Sequence, residues 1–163
     1  MMKLFQRNRK SRSGTAIIEF AVGSGVLMAV FAGTFEFGYT FYIYNNLQTA
    51  VNNGAKYAAL RTYESTTRTP STCFTDAVKD MVVYGDPTGT VTTPIAPRLA
   101  TSNVTLTPTW DSVNATNNVP LAWTVSVSSY TINSVFASFT LTNKPQVTYP
   151  FLGGYAPGNP CTQ

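Results

Sequence analysis

The chain has 163 residues, a formal net charge of +4 and no histidine, which removes His-based triads, His metal sites and the commonest general base. Its two cysteines, Cys73 and Cys161, cannot build a zinc site alone. The positive charge does not point to nucleic acid. Lys3, Arg7, Arg9, Lys10 and Arg12 cluster at the start without an acid, whereas from Thr15 onward seven acids outnumber six basic residues, and no basic patch or aromatic-interleaved stripe follows.

Residues 1–14 read as a basic leader of the kind that stays on the cytoplasmic side of a spanning helix. From Ala16 to Phe37 the only charges are Glu19 and Glu36. That stretch is about 33 Å long as a helix, enough to cross a bilayer. The helical pattern continues: Thr40, Tyr44, Leu47, Val51, Ala55 and Ala58 recur at spacings of three and four. The spacing predicts one helix over 15–63, about 70 Å long, with a transmembrane part at about 16–37 and an amphipathic part at 38–63. Ala21, Gly25, Ala29 and Gly33 recur every four residues in the apolar half. They form a stripe where another helix could approach closely, or they reflect how common Gly and Ala are in spanning helices.

Residues 64–163 read as a separate α+β domain. Glu64 to Thr72 is polar, and Pro70 breaks the long helix. A short helix is expected from about Phe74 to Val83, with Phe74, Val78 and Met81 on one face. Gly85-Asp86-Pro87-Thr88-Gly89 reads as a turn. Alternation then predicts short antiparallel strands. Val104, Leu106 and Trp110 alternate with threonines, interrupted by Pro108. Leu121, Trp123, Val125 and Val127 alternate with small and polar residues. Tyr130 to Thr142 is read as one helical turn and then a strand through Phe139 and Leu141. Gln146 to Tyr149 lies between Pro145 and Pro150 and is expected at a sheet edge. Phe151 to Gln163 reads as a Gly/Pro loop. The two cysteines suggest one disulfide in an exported domain, closing a loop of about 89 residues and worth roughly 4–5 kcal/mol. The alternative is two unpaired thiols.

The chemistry concentrates at Gly14-Thr15-Ala16-Ile17-Ile18-Glu19-Phe20. An acid inside a membrane-entering helix is costly and is a functional residue by default. Further on stand Phe35-Glu36-Phe37-Gly38-Tyr39 and Asn53-Gly54-Ala55-Lys56-Tyr57-Ala58-Ala59. On these three stretches, spanning roughly Arg12 to Leu60, the chain resembles the TadE-like minor pilin family of the tight-adherence (Tad, or Flp) branch of type IV pili. The resemblance weakens beyond Leu60.

That resemblance implies a minor pilin or pseudopilin, cut between Gly14 and Thr15 by a membrane prepilin peptidase. Gly14 has no side chain to obstruct the peptidase cleft. Cleavage would leave a cationic amine on Thr15, with Glu19 four residues on and Phe20 behind it. Glu19 would pair with a neighbouring subunit's terminal amine, each charge offsetting the cost of burying the other. The implied partners are other pilins through the N-terminal helix, the peptidase and an inner-membrane assembly platform. The implied location is the bacterial inner membrane, single-pass, with the N-terminus cytoplasmic and the C-terminal domain periplasmic, or the extracellular pilus. No enzyme activity, cofactor, metal or nucleic-acid partner is expected.

Two other readings compete. Val30-Phe31-Ala32-Gly33 fits a signal-peptidase site after Ala32, which would release a secreted β-rich protein. The chain could equally be a single-span anchored periplasmic protein. An anchored enzyme would draw on Asp76, Asp80, Asp86 and Asp111, of which Asp76 and Asp80 share a helix face. Solvated surface acids explain the same residues.

Overall fold

The computed structural model describes residues 12–112 and 118–158. The basic residues of the expected leader up to Lys10, and Cys161 of the expected disulfide, lie outside the described residues. The chain divides into two units, Met1–Tyr39 and Thr40–Gln163. The fold class is α+β. Helix α1 covers Arg12–Leu60 and α2 covers Thr72–Tyr84. Five strands follow: β1 (Val104–Thr109), β2 (Ala122–Val127), β3 (Tyr130–Asn133), β4 (Ser138–Leu141) and β5 (Gln146–Pro150).

In the first unit α1 is apolar on most faces and buries almost nothing. Ile17, Ile18, Phe20, Val26, Leu27 and Phe31 are all exposed. Two of its hydroxyls are satisfied by the helix itself: Ser24 Oγ donates to the Ala21 carbonyl at 3.0 Å, and Thr34 Oγ1 to that of Val30 at 2.9 Å. This back-bonding is how a polar side chain is accommodated where no water is present.

In the second unit the remainder of α1 is amphipathic. Ile43, Leu47, Ala50, Val51, Ala55, Ala58 and Ala59 are buried. Helix α2 buries Phe74, Ala77, Val78, Val82 and Val83. Ser71 caps its start, accepting a hydrogen bond from the Phe74 amide, and Gly85 ends it in the left-handed conformation (φ 72°). Met81, expected on the buried face, is half-buried, and Val82 takes its place. A Cβ on Gly54 would overlap Val82 Cγ2, so α1 and α2 approach more closely than any larger residue would allow.

The three-stranded antiparallel sheet has the order β1-β2-β5. Val104 pairs with Val127 and Pro108 with Trp123; Trp123 pairs with Tyr149 and Ser126 with Gln146. Both prolines of this region sit where ladder donors are dispensable: Pro108 in the edge strand β1 and Pro150 at the end of the edge strand β5. The inner face carries Val104, Trp123, Val125 and Val127, all buried. Tyr149 Oη donates to Asn52 Oδ1 at 2.9 Å, tying β5 to α1. Leu121, expected in line with Trp123, precedes the strand and is exposed.

Two expectations need correction. The long helix stops at Leu60, and Tyr63 lies beyond it in a bridge to Tyr155. Tyr63 donates its amide to the Gly154 carbonyl at 2.8 Å, and the Ala156 amide donates to Tyr63 at 3.0 Å. The Gly/Pro tail is therefore a strap rather than a free loop. The second correction is at Tyr130 to Thr142. There is no helical turn; β3 and β4 form a separate antiparallel hairpin pairing Tyr130 with Leu141 and Asn133 with Ser138.

Candidate processing and assembly segment

The helix that carries Gly14 to Phe20 forms because the run is apolar and free of proline. Gly14 is exposed at the third residue of α1, with nothing near the position of a Cβ. Thr15 and Glu19 are one turn apart, on the same side of the helix. Both are exposed, and Phe20 beside Glu19 is 77% exposed. Among the described residues Glu19 makes no hydrogen bond or ion pair. The stripe residues Ala21, Gly25, Ala29 and Gly33 are also exposed, and no atom approaches the two glycines.

Within Gly14–Leu60 lies a stretch long and apolar enough to cross a membrane, and none of that stretch is buried within the chain. An apolar surface this large is not stable in water. It asks for lipid, for other helices, or for both. Ala32 and Gly33, the alternative cleavage point, lie inside the continuous helix.

The acids that the competing anchored-enzyme reading would draw on have unlike surroundings. Asp86 is bound by its own loop: its carboxylate accepts from the Thr88 amide at 3.0 Å, the Thr90 amide at 3.0 Å and the Val91 amide at 3.1 Å, and from both threonine hydroxyls. Those bonds, first from Thr90 and then from Thr88, hold it well below the usual carboxylate range. Asp80 is shifted the other way, by burial first and then by the charges of Asp76 and Asp86. Asp76 is exposed. No group of three or more His, Cys, Asp or Glu residues that could hold a metal occurs among the described residues.

One buried carboxylate stands apart. Glu64 is 6% exposed and accepts from Ser71 Oγ at 2.5 Å. It therefore links the end of the α1 region to the cap of α2. Tyr63 next to it is fully buried among Phe74, Trp110, Trp123, Phe151 and Tyr155, with ring centroids 5.8 to 6.4 Å away. The sequence marks these rings only as scattered aromatics; their shared position depends on the strap.

The family model for TadE-like protein matches residues 14–56. The match starts at Gly14 and covers the exposed apolar part of α1, Glu19 and the close approach at Gly54. It contains the first two stretches on which the resemblance rests and the first four residues, Asn53 to Lys56, of the third. No curated protein and no solved structure matches the chain.

Proposed function

We propose, from the TadE-like character of residues 14–56, that this chain is a minor pilin or pseudopilin of a Tad-type pilus. Its helix packs into the pilus or its assembly complex after leader removal. The observation that carries this reading is the exposed apolar helix headed by one unpaired carboxylate. A simple anchor has no use for an acid one turn from the cut; a subunit that must register against a neighbour does.

In this reading the prepilin peptidase cuts between Gly14 and Thr15. The new amine on Thr15 and the carboxylate of Glu19 then form complementary charges at one end of each helix. In hydrocarbon surroundings a lone charge is expensive, and pairing across subunits offsets that cost. The stripe Ala21, Gly25, Ala29 and Gly33 gives the backbone of a neighbouring helix room to approach. The C-terminal domain lies in the periplasm or on the pilus. A Cys73–Cys161 disulfide would hold its tail.

Glu19→Ala tests the assembly role. The variant is expected to be cleaved normally, to accumulate in the inner membrane and to be depleted from sheared, purified pili. Wild-type recovery of Glu19→Ala in those pili would remove the assembly role.

A further inference from the structure

In the C-terminal unit, strand β5 runs in the same direction as α1. Tyr149 Oη reaches Asn52, and further along the chain the Leu152 amide donates to the Ala59 carbonyl. The start of β5 therefore lies toward Thr40, the end at which the apolar part of α1 joins this unit. The β3–β4 hairpin leaves the sheet at that same end. Ser126 pairs with Gln146, and shortly beyond them Tyr130 pairs with Leu141, so β3 and β4 continue the β2–β5 ribbon past the sheet. Strands of this length add about 13 Å in that direction.

The hairpin tip has an unusual composition for a surface in water. The Ser134 amide donates to the Ala137 carbonyl at 2.9 Å and closes a tight loop of Val135 and Phe136. Loops of this kind ordinarily hold Asn-Gly or Asp-Gly. Here Val135 is 72% and Phe136 69% exposed, and Phe139 on β4 is exposed as well. Single exposed apolar side chains need no explanation, but a contiguous group marks a contact surface. Two other features share this end of the unit. Phe41 and Tyr42, in the first turn of its part of α1, are exposed; tyrosine in particular collects where a spanning helix leaves the hydrocarbon. Arg98 and Lys144 are exposed near the base of the hairpin. Arg98 follows Pro97, whose carbonyl accepts from Tyr130 Oη at 2.8 Å, and Lys144 lies in the turn between β4 and β5.

We propose that this end of the C-terminal unit rests on the bilayer surface. Val135 and Phe136 insert at the boundary between headgroups and acyl chains, and Arg98 and Lys144 meet lipid phosphates. The contact holds the unit against the membrane before the subunit is assembled. It rests on the reading of α1 as a membrane anchor. The occupant is lipid rather than a second copy of the chain because the apolar tip lies at the end of the unit that α1 joins to its membrane-spanning part.

The test uses the full chain in vesicles of phosphatidylethanolamine and phosphatidylglycerol that contain a lipid spin-labelled high on its acyl chain. A fluorophore is attached through Val135→Cys, Leu152→Cys or Leu27→Cys, and the unsubstituted chain labelled in parallel gives the background. Leu27 is exposed in the apolar part of α1, and Leu152 is exposed at the opposite end of the unit, beside Ala59. The expected result is quenching at Val135 several-fold stronger than at Leu152. Adding Phe136→Asp to Val135→Cys should bring that quenching close to the Leu152 level. Phe139→Cys, exposed on β4, repeats the measurement if Val135→Cys disturbs the turn. Quenching at Leu27 but at neither Val135 nor Phe139 would overturn the proposal and leave the anchor standing. Absence of quenching at Leu27 as well would overturn both. Disulfide-linked dimers through Val135→Cys without quenching would assign the tip to a second copy of the chain and overturn the lipid contact. So would quenching at Val135 that Phe136→Asp leaves unchanged.

Discussion

Gly54 faces Val82 across the α1–α2 contact with no room for a Cβ between them. The glycine lies in the Asn53–Ala59 stretch that carries part of the TadE resemblance, and inside the residues that the family model matches. Its role is packing: it lets two helices share a core to which the later strands add Val104, Trp123, Val125 and Val127.

Gly54→Ala should therefore destabilise the C-terminal unit by about 1–3 kcal/mol, the usual cost of overpacking. Lys56→Ala, exposed two residues away, should change stability by no more than about 0.5 kcal/mol. Denaturant unfolding followed by tryptophan fluorescence checks both, since Trp123 is fully buried. Equal midpoints for Gly54→Ala and the wild type would show that the contact relaxes without cost.

The strap makes a second prediction. A Cβ on Gly153 would overlap the Arg61 carbonyl and crowd the Phe151 ring. The neighbouring Leu152 amide donates to Ala59 at 2.8 Å, and Tyr63 is bonded on both sides by the same segment. Gly153→Ala should loosen the strap and expose Tyr63. Limited proteolysis should then remove the tail several-fold faster than from the wild type, while Gly154→Ala, where a Cβ meets only ordinary contacts with Thr62, should behave more nearly like the wild type. Unchanged cleavage of Gly153→Ala would mean the tail is held by something else.

This strap also shows where the sequence stops being informative. The helical period is clear through Ala58, and the flanking prolines locate edge strand β5. The helix stop at Leu60 is not signalled locally. It depends on backbone pairing with residues some ninety positions later, which propensity cannot register. The expected strand through Phe139 and Leu141 is β4, whereas β3 and its pairing with β4 are not marked in the sequence. The turn between them, Ser134-Val135-Phe136-Ala137, offers only Ser134 as a turn-marking residue and contains no Gly, Asn, Asp or Pro. The candidate processing segment, by contrast, is contiguous: charge and hydropathy mark its basic flank, apolar run and Glu19, and its reading as a cleavage and assembly site rests on the family resemblance.

The pH dependence follows from two aspartates shifted in opposite directions from the ordinary value of 3.8. The lowered Asp86 contributes stability that is fully present above that value and is lost as pH falls through its lower folded value. Raised Asp80 does the reverse: its charged form is penalised in the fold above the ordinary value, and the penalty lifts as pH falls through the raised one. Asp86→Asn should lower the unfolding midpoint at about pH 7 and flatten its acid-side decline, whereas Asp80→Asn should leave the midpoint at about pH 7 equal or higher. Midpoints measured from neutral pH down to about pH 3 test both signs. A lower neutral midpoint for Asp80→Asn would contradict the assignment of burial as its main cause.

In the proposed assembly route Gly14 is the last residue removed before the helix assembles. Intact-mass spectrometry of the chain extracted from inner membranes and from purified pili tests it most directly. The expected result is a mature chain beginning at Thr15, and an unprocessed chain when Gly14→Leu is expressed in its place. A mature chain beginning at Gly33, or normal processing of Gly14→Leu, would contradict it.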